Sequence, residues 1–169
     1  MDKFLLVGIL FVTVIAGCDT GELPVDIYSE VDRLSTGLEP EITVRRSTTV
    51  NNSFEDYFDS IRDRAMWDYF AESEQVASLE IITFGSKREI AQFHNLLFST
   101  SWNEGLPEFI AQNELDVGET NLVDTGVRQR VIFERCGVFV FLEIQPNAEL
   151  DVNDFLFYLR EVDLVLSSC

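Results

Sequence analysis

The chain has 169 residues, 46% of them hydrophobic, with 30 acidic against 12 basic residues and a formal net charge of −18 at pH 7. That apolar fraction excludes a disordered chain and the length suits one domain. The acidity makes nucleic acid and anionic lipid headgroups poor partners.

Met1-Asp2-Lys3 opens the chain, and from Phe4 to Ala16 only Thr13 is polar. This run has the length of a signal-peptide core and is too short for a membrane-spanning helix, which needs about 20 apolar residues. It leads into Ile15-Ala16-Gly17-Cys18, which resembles the lipobox of bacterial lipoproteins. The resemblance implies a signal peptide over 1–17, cleavage before Cys18, lipid on the Cys18 thiol and anchoring to a membrane outside the cytoplasm. Asp19 then favours the periplasmic face of the inner membrane, with the outer membrane as the alternative. The resemblance stops at Cys18 and says nothing of the remaining domain. After cleavage Lys87 is the last lysine beside ten arginines, which fits salt adaptation and an ordinary acidic periplasmic protein equally well.

Residues 18–40 read as an acidic tether punctuated by Gly21, Pro24, Gly37 and Pro40. Within it Val25, Tyr28, Val31 and Leu34 recur every third residue, the spacing of a short helical turn. The globular domain is expected over 41–169, opening on a strand at Pro40–Val44. A helix is then expected from Ser53 to about Phe70. Phe54, Tyr57, Phe58, Ile61, Ala65 and Tyr69 would share one face, and Glu55, Asp59 and Asp63 the other. Met66, Trp67 and Phe70 turn away from the apolar face of such a helix. They are therefore either covered, by the tether for example, or form an aromatic patch open to a partner.

Val76–Phe84 is rich in β-branched residues and reads as a strand. Gly85 breaks it, and Ser86-Lys87-Arg88-Glu89 reads as a capping box opening a helix to about Leu97. That helix carries His94, the sole histidine, for which a helix-surface or boundary role is the default. Ser99–Gly126 is irregular, with a short helix expected to open at Pro107 and an acidic segment over 114–124. Calcium ligation there would need a spacing the segment lacks.

Val127–Cys136 and Val138–Ile144 form a hairpin about Arg135-Cys136-Gly137, the second arm apolar enough to be a central strand covered on both faces. Arg128, Arg130 and Arg135 are expected to pair with nearby acids. Leu150–Ser167 is the closing helix, capped by Asp151 with Asp154 at its third position. Phe157 and Leu164 lie opposite its main apolar face, so it is either sandwiched or shared with a partner. With Cys18 taken by lipid and the compartment oxidising, Cys136 and Cys169 are expected to pair.

These elements make an α+β domain, a mostly antiparallel sheet of about four to five strands with two to three helices packed on it. No nucleophile–base pair, phosphate loop or metal motif appears, so no catalytic residue, cofactor or metal ligand is assigned. The expected function is that of a non-enzymatic envelope lipoprotein. It would be held to the membrane through Cys18 and bind a protein or small ligand, with Met66, Trp67 and Phe70 as candidate contact residues. A carboxylate- or metal-dependent hydrolase using acids of 114–124 is the alternative.

Overall fold

The computed structural model describes residues 27–35, 41–47, 61–98, 109–112, 115–124 and 129–167. In chain order these form α1 (Ile27–Ser35), β1 (Ile42–Arg46), β2 (Ile61–Ala71), β3 (Glu74–Phe84), α2 (Lys87–Phe98), β4 (Phe109–Gln112), β5 (Thr120–Asp124), β6 (Gln129–Arg135), β7 (Val138–Ile144) and α3 (Val152–Leu166). The fold is α+β, as the sequence predicts. All pairings are antiparallel, in one seven-stranded sheet of order β1-β2-β3-β7-β6-β5-β4, a wider sheet than expected.

The largest departure is β2. Residues 61–71 are a strand, not the end of a helix; residues 53–60 lie outside the described residues. Ala65 and Tyr69 are four apart, and a spacing of four returns to the same face in a strand as well as in a helix; Ile61, on the far side of a register shift before Asp63, packs instead against the opposite face of the sheet. Trp67 separates the two readings. On a strand it joins Ala65 and Tyr69, and all three are buried, at 4%, 1% and 0% exposure for Ala65, Trp67 and Tyr69. Met66 and Phe70 take the opposite face and are half-buried. β2 returns into β3 through Glu72-Ser73, with Glu72 at φ +56°.

The second departure is the tether. Residues 27–35 of it are α1, which belongs to the globular core: Ile27 and Val31 are 1% and 0% exposed and pack in one cluster with α3 and one face of the sheet. The domain therefore begins before residue 41. Residues 18–26 and 36–40 lie outside the described residues. Phe109–Gln112 is likewise a strand on the sheet edge rather than a helical turn.

The β6–β7 hairpin turns through two residues with positive φ, Cys136 at +55° and Gly137 at +78°. Such a pair matches the twist of the flanking strands. β7 takes the centre of the sheet. Its alternate residues Val138, Val140, Leu142 and Ile144 face α1 and α3, while Phe139 and Phe141 face α2.

α2 is held to its face of the sheet by aromatic packing. Phe93 lies 4.9 Å from Phe84 and 4.8 Å from Phe139, ring centre to ring centre, and Phe84 lies 5.8 Å from Phe139. Such pairs contribute about 0.5–1.5 kcal/mol each beyond area burial. The Ser86 cap forms: the Glu89 N–H donates to Ser86 Oγ at 3.3 Å, and the Ser86 hydroxyl donates to the Glu89 carboxylate at 2.8 Å. At α3 the expected capping box is complete. The Asn153 N–H donates to Asp151 at 2.7 Å and the Asp151 N–H to Asp154 at 2.7 Å.

Candidate functional site

Sequence reasoning offered four places where function could reside. The structure treats each differently.

The first is Met66, Trp67 and Phe70. Trp67 is no surface residue. Its ring is sealed beneath α1, its Nε1–H donates to Asp32 Oδ1 at 2.6 Å, and Tyr28 lies 6.1 Å away, ring centre to ring centre. The Arg46 guanidinium caps both rings, 4.9 Å from Tyr28 and 5.9 Å from Trp67. Burial and then the Asp63 charge, against the lowering pull of the Arg46 charge, push the Tyr28 hydroxyl up to about 12. The tether does cover the tryptophan, as one of the two readings had it, and it does so as a helix. Phe70, on the other face, lies 5.2 Å beneath the Arg45 guanidinium. Strand pleating sends Trp67 to the opposite face from Met66 and Phe70, so the three do not form one patch.

The second is the pair of acidic and histidine-bearing segments. His94 Nε2 lies 3.4 Å from Thr120 Oγ1, and its ring lies 4.8 Å from that of Phe98, tilted by 42°. In the acidic segment the buried Asn121 closes the chain on itself: its amide donates to the Leu115 and Val117 carbonyls at 2.7 and 2.8 Å, and its Oδ1 accepts the Leu115 N–H at 3.3 Å. Asp116 and Glu119 project to solvent. Among the described residues, no three His, Cys, Asp or Glu side chains converge to hold a metal ion.

The third is the arginine cluster, whose members within the described residues pair with acids. Arg130 donates to Glu143 across the β6–β7 ladder at 3.1 Å. Arg135 makes two bonds to Asp163 of α3. The register also lines up Arg45, Asp68, Ser78, Glu143, Arg130 and Asp124 as one row across six strands. Opposite charges adjoin along most of this row, which lies on the same sheet face as α2 but outside its apolar cluster. Cys136, at the hairpin turn, is disulfide-bonded; Cys18 and Cys169 lie outside the described residues.

Two polar features were not legible in the sequence. Arg64 and Glu80 form a buried ion pair between β2 and β3, their side chains 6% and 12% exposed. Beneath α1 and α3 runs a chain of hydroxyls. Tyr69 donates to Tyr158 at 2.9 Å, Tyr158 Oη lies 3.0 Å from Ser35 Oγ, and Ser35 donates to the Val31 carbonyl at 2.7 Å. Burial foremost holds both phenols above their ordinary value. They stay protonated near neutrality and act as internal struts. The Arg64–Glu80, Tyr69–Tyr158 and Tyr158–Ser35 links join residues far apart in sequence, so no local signal announces them.

The fourth place is the outer face of α3. Phe157 is 74% and Leu164 65% exposed, the two large hydrophobic side chains among the described residues left open to solvent. Seven residues apart, they lie two helical turns from each other on one side of the helix, roughly 10 Å apart along its axis. Arg160 and Glu161 lie between them. The helix is not sandwiched: Phe155, Tyr158, Leu159, Val162 and Leu166 are buried and Phe157 and Leu164 are bare. No protein-family model matches the chain, and neither does any curated protein or solved structure.

Proposed function

We propose that the chain is an extracytoplasmic lipoprotein, anchored through Cys18, whose domain is a non-enzymatic module that binds a protein in the cell envelope. The lipobox at Ile15–Cys18 supports the anchor, and two or three acyl chains would make it firm. The disulfide at Cys136 fits an oxidising compartment outside the cytoplasm. Its proposed partner is Cys169, which would tie the end of the chain to the β6–β7 turn. Asp19 favours the periplasmic face of the inner membrane.

The observation that carries the binding half is the bare Phe157–Leu164 face of α3. Two large apolar side chains on one helix side are what a helix-face interface uses as anchors. Two measurements on the full chain in its own membranes test the proposal. Palmitate labelling is expected in the unaltered protein and lost in Cys18→Ala; labelling that persists in that variant overturns the anchor. A photo-activatable phenylalanine analogue in place of Phe157 is expected to crosslink a protein upon illumination. A failure to capture any protein from that position overturns the binding surface.

A further inference from the structure

We infer that the occupant of the α3 face is a second copy of this chain, docked antiparallel about a twofold axis between Arg160 and Glu161. The inference rests on the proposal that this face is a binding surface, and it names the partner.

Phe157, Arg160, Glu161 and Leu164 fall within about 100° of arc on α3, taking 3.6 residues per turn. A closed twofold interface is isologous: if one residue meets a second, the second meets the first. Phe157 and Leu164 are equidistant in sequence from the Arg160–Glu161 peptide. A twofold axis there sets Phe157 against the partner's Leu164 and Leu164 against the partner's Phe157. The same axis sets Arg160 against the partner's Glu161, and the reverse. Leu156 and Val165, half-buried at the margins of the face, exchange in the same way. The stripe is therefore self-complementary in both shape class and charge. Among the described residues neither Arg160 nor Glu161 forms an ion pair within its own chain, so both charges are open to the second copy.

Charge opposes any association between two bodies of −18 each. The interface counters this locally by placing an arginine against a glutamate twice across the axis. Confinement to one membrane through Cys18 raises the effective concentration of copies, as tethering does in general.

The experiment uses the full lipidated chain in its own membranes, co-expressed with two different epitope tags and carrying the photo-activatable analogue at position 157. A crosslinked species bearing both tags at twice the chain mass is expected. Arg160→Glu sets glutamate against glutamate, and its yield is expected to fall about fivefold or more. Glu161→Arg sets arginine against arginine and should do the same. The double variant R160E/E161R reverses the pair while keeping it complementary, so its yield should return to within about twofold of the original. A different protein would feel both reversals together, so rescue singles out the second copy. Capture of only some other protein overturns the self-association and leaves the binding surface standing. Capture of nothing overturns both. A two-tag product whose yield ignores the charge reversals overturns the antiparallel twofold geometry.

Discussion

Arg135, the last residue of β6, grips Asp163 of α3 with both arms of its guanidinium. Its Nε donates to Oδ1 at 2.8 Å and its Nη2 to Oδ2 at 2.7 Å. The Arg135 and Asp163 side chains are 25% and 12% exposed, so water weakens the pair only in part. The hydrogen bond to Asp163 foremost, against the lowering effect of burial and helped by the charges of Asp163, Glu119 and Glu134, raises the affinity of Arg135 for its proton. Bidentate charge-assisted bonds are the strong class, and removing one partner leaves the other charge half-buried. Arg135→Met is expected to cost about 2–4 kcal/mol, read as a lower urea midpoint. Arg135→Met combined with Asp163→Leu should recover more than half of the loss, because no charge is then stranded.

Gly118 and Gly137 both have positive φ, +69° and +78°, yet a methyl group meets different neighbours at each. At Gly118 it would sit 2.8 Å from the Glu134 carbonyl oxygen and 2.9 Å from Phe133 Cβ, both fixed in β6. At Gly137 it would sit 2.9 Å from Ile90 Cδ1, the movable tip of a side chain. The left-handed backbone alone costs a non-glycine residue about 1–2 kcal/mol. Gly137→Ala should lose about that much. Gly118→Ala should lose at least about 1 kcal/mol more, because the clash is with backbone and a packed Cβ. Thermal melts of the two variants compared side by side check the order; equal melting temperatures would refute it.

Trp67 and Asp32 show how far the sequence could be read. Strands β3, β6 and β7, helices α2 and α3 and both caps follow from patterns within ten or so residues, and all lie close to where those patterns put them. β2 does not, because Ala65 and Tyr69 satisfy two periods at once and the deciding residue, Trp67, is aromatic in either reading. Its burial depends on α1, whose Asp32 lies thirty-five residues earlier in sequence. The outer face of α3 was legible because Phe157 and Leu164 break a clear helical stripe. The Arg64–Glu80 pair was not, since only the strand register brings the two together.

Trp67→Phe is the substitution that isolates this link. It keeps an aromatic ring in the core but removes the indole N–H that Asp32 accepts at 2.6 Å. Losing a hydrogen bond to a charged acceptor costs about 1.5–3 kcal/mol, with a packing loss added for the smaller ring. The effect should concentrate in α1, whose other ties include Ile27, Tyr28, Val31, Leu34 and Ser35. Amide hydrogen exchange is therefore expected to quicken over residues 27–35 by more than over β3 and β7. Uniform acceleration across the chain would show that α1 opens only with the whole domain.

Arg64 and Glu80 give the domain a pH dependence of definite sign. Burial raises the Glu80 carboxyl above its ordinary value of 4.5, against the lowering pull of the Arg64 hydrogen bond and charge. A carboxyl raised in the folded state holds its proton more tightly there than in the unfolded chain. Its contribution is therefore fullest below 4.5 and is lost as pH rises through the folded value. Arg64→Met removes both lowering influences, moves Glu80 further up and widens the range over which stability falls. At pH 8 an ionised Glu80 would be buried without its arginine, at a cost of about 3–5 kcal/mol. At pH 5, nearer the range in which the raised carboxyl takes up its proton, the loss in the variant should be smaller than at pH 8. Arg64→Met with Glu80→Leu removes both charges and should be close to neutral at both pH values, since a buried pair exchanged for apolar side chains costs little. Urea unfolding of the three proteins at pH 5 and pH 8 separates these outcomes. A loss in Arg64→Met that is the same at both pH values would mean that Arg64 acts through packing and not through the charge of Glu80.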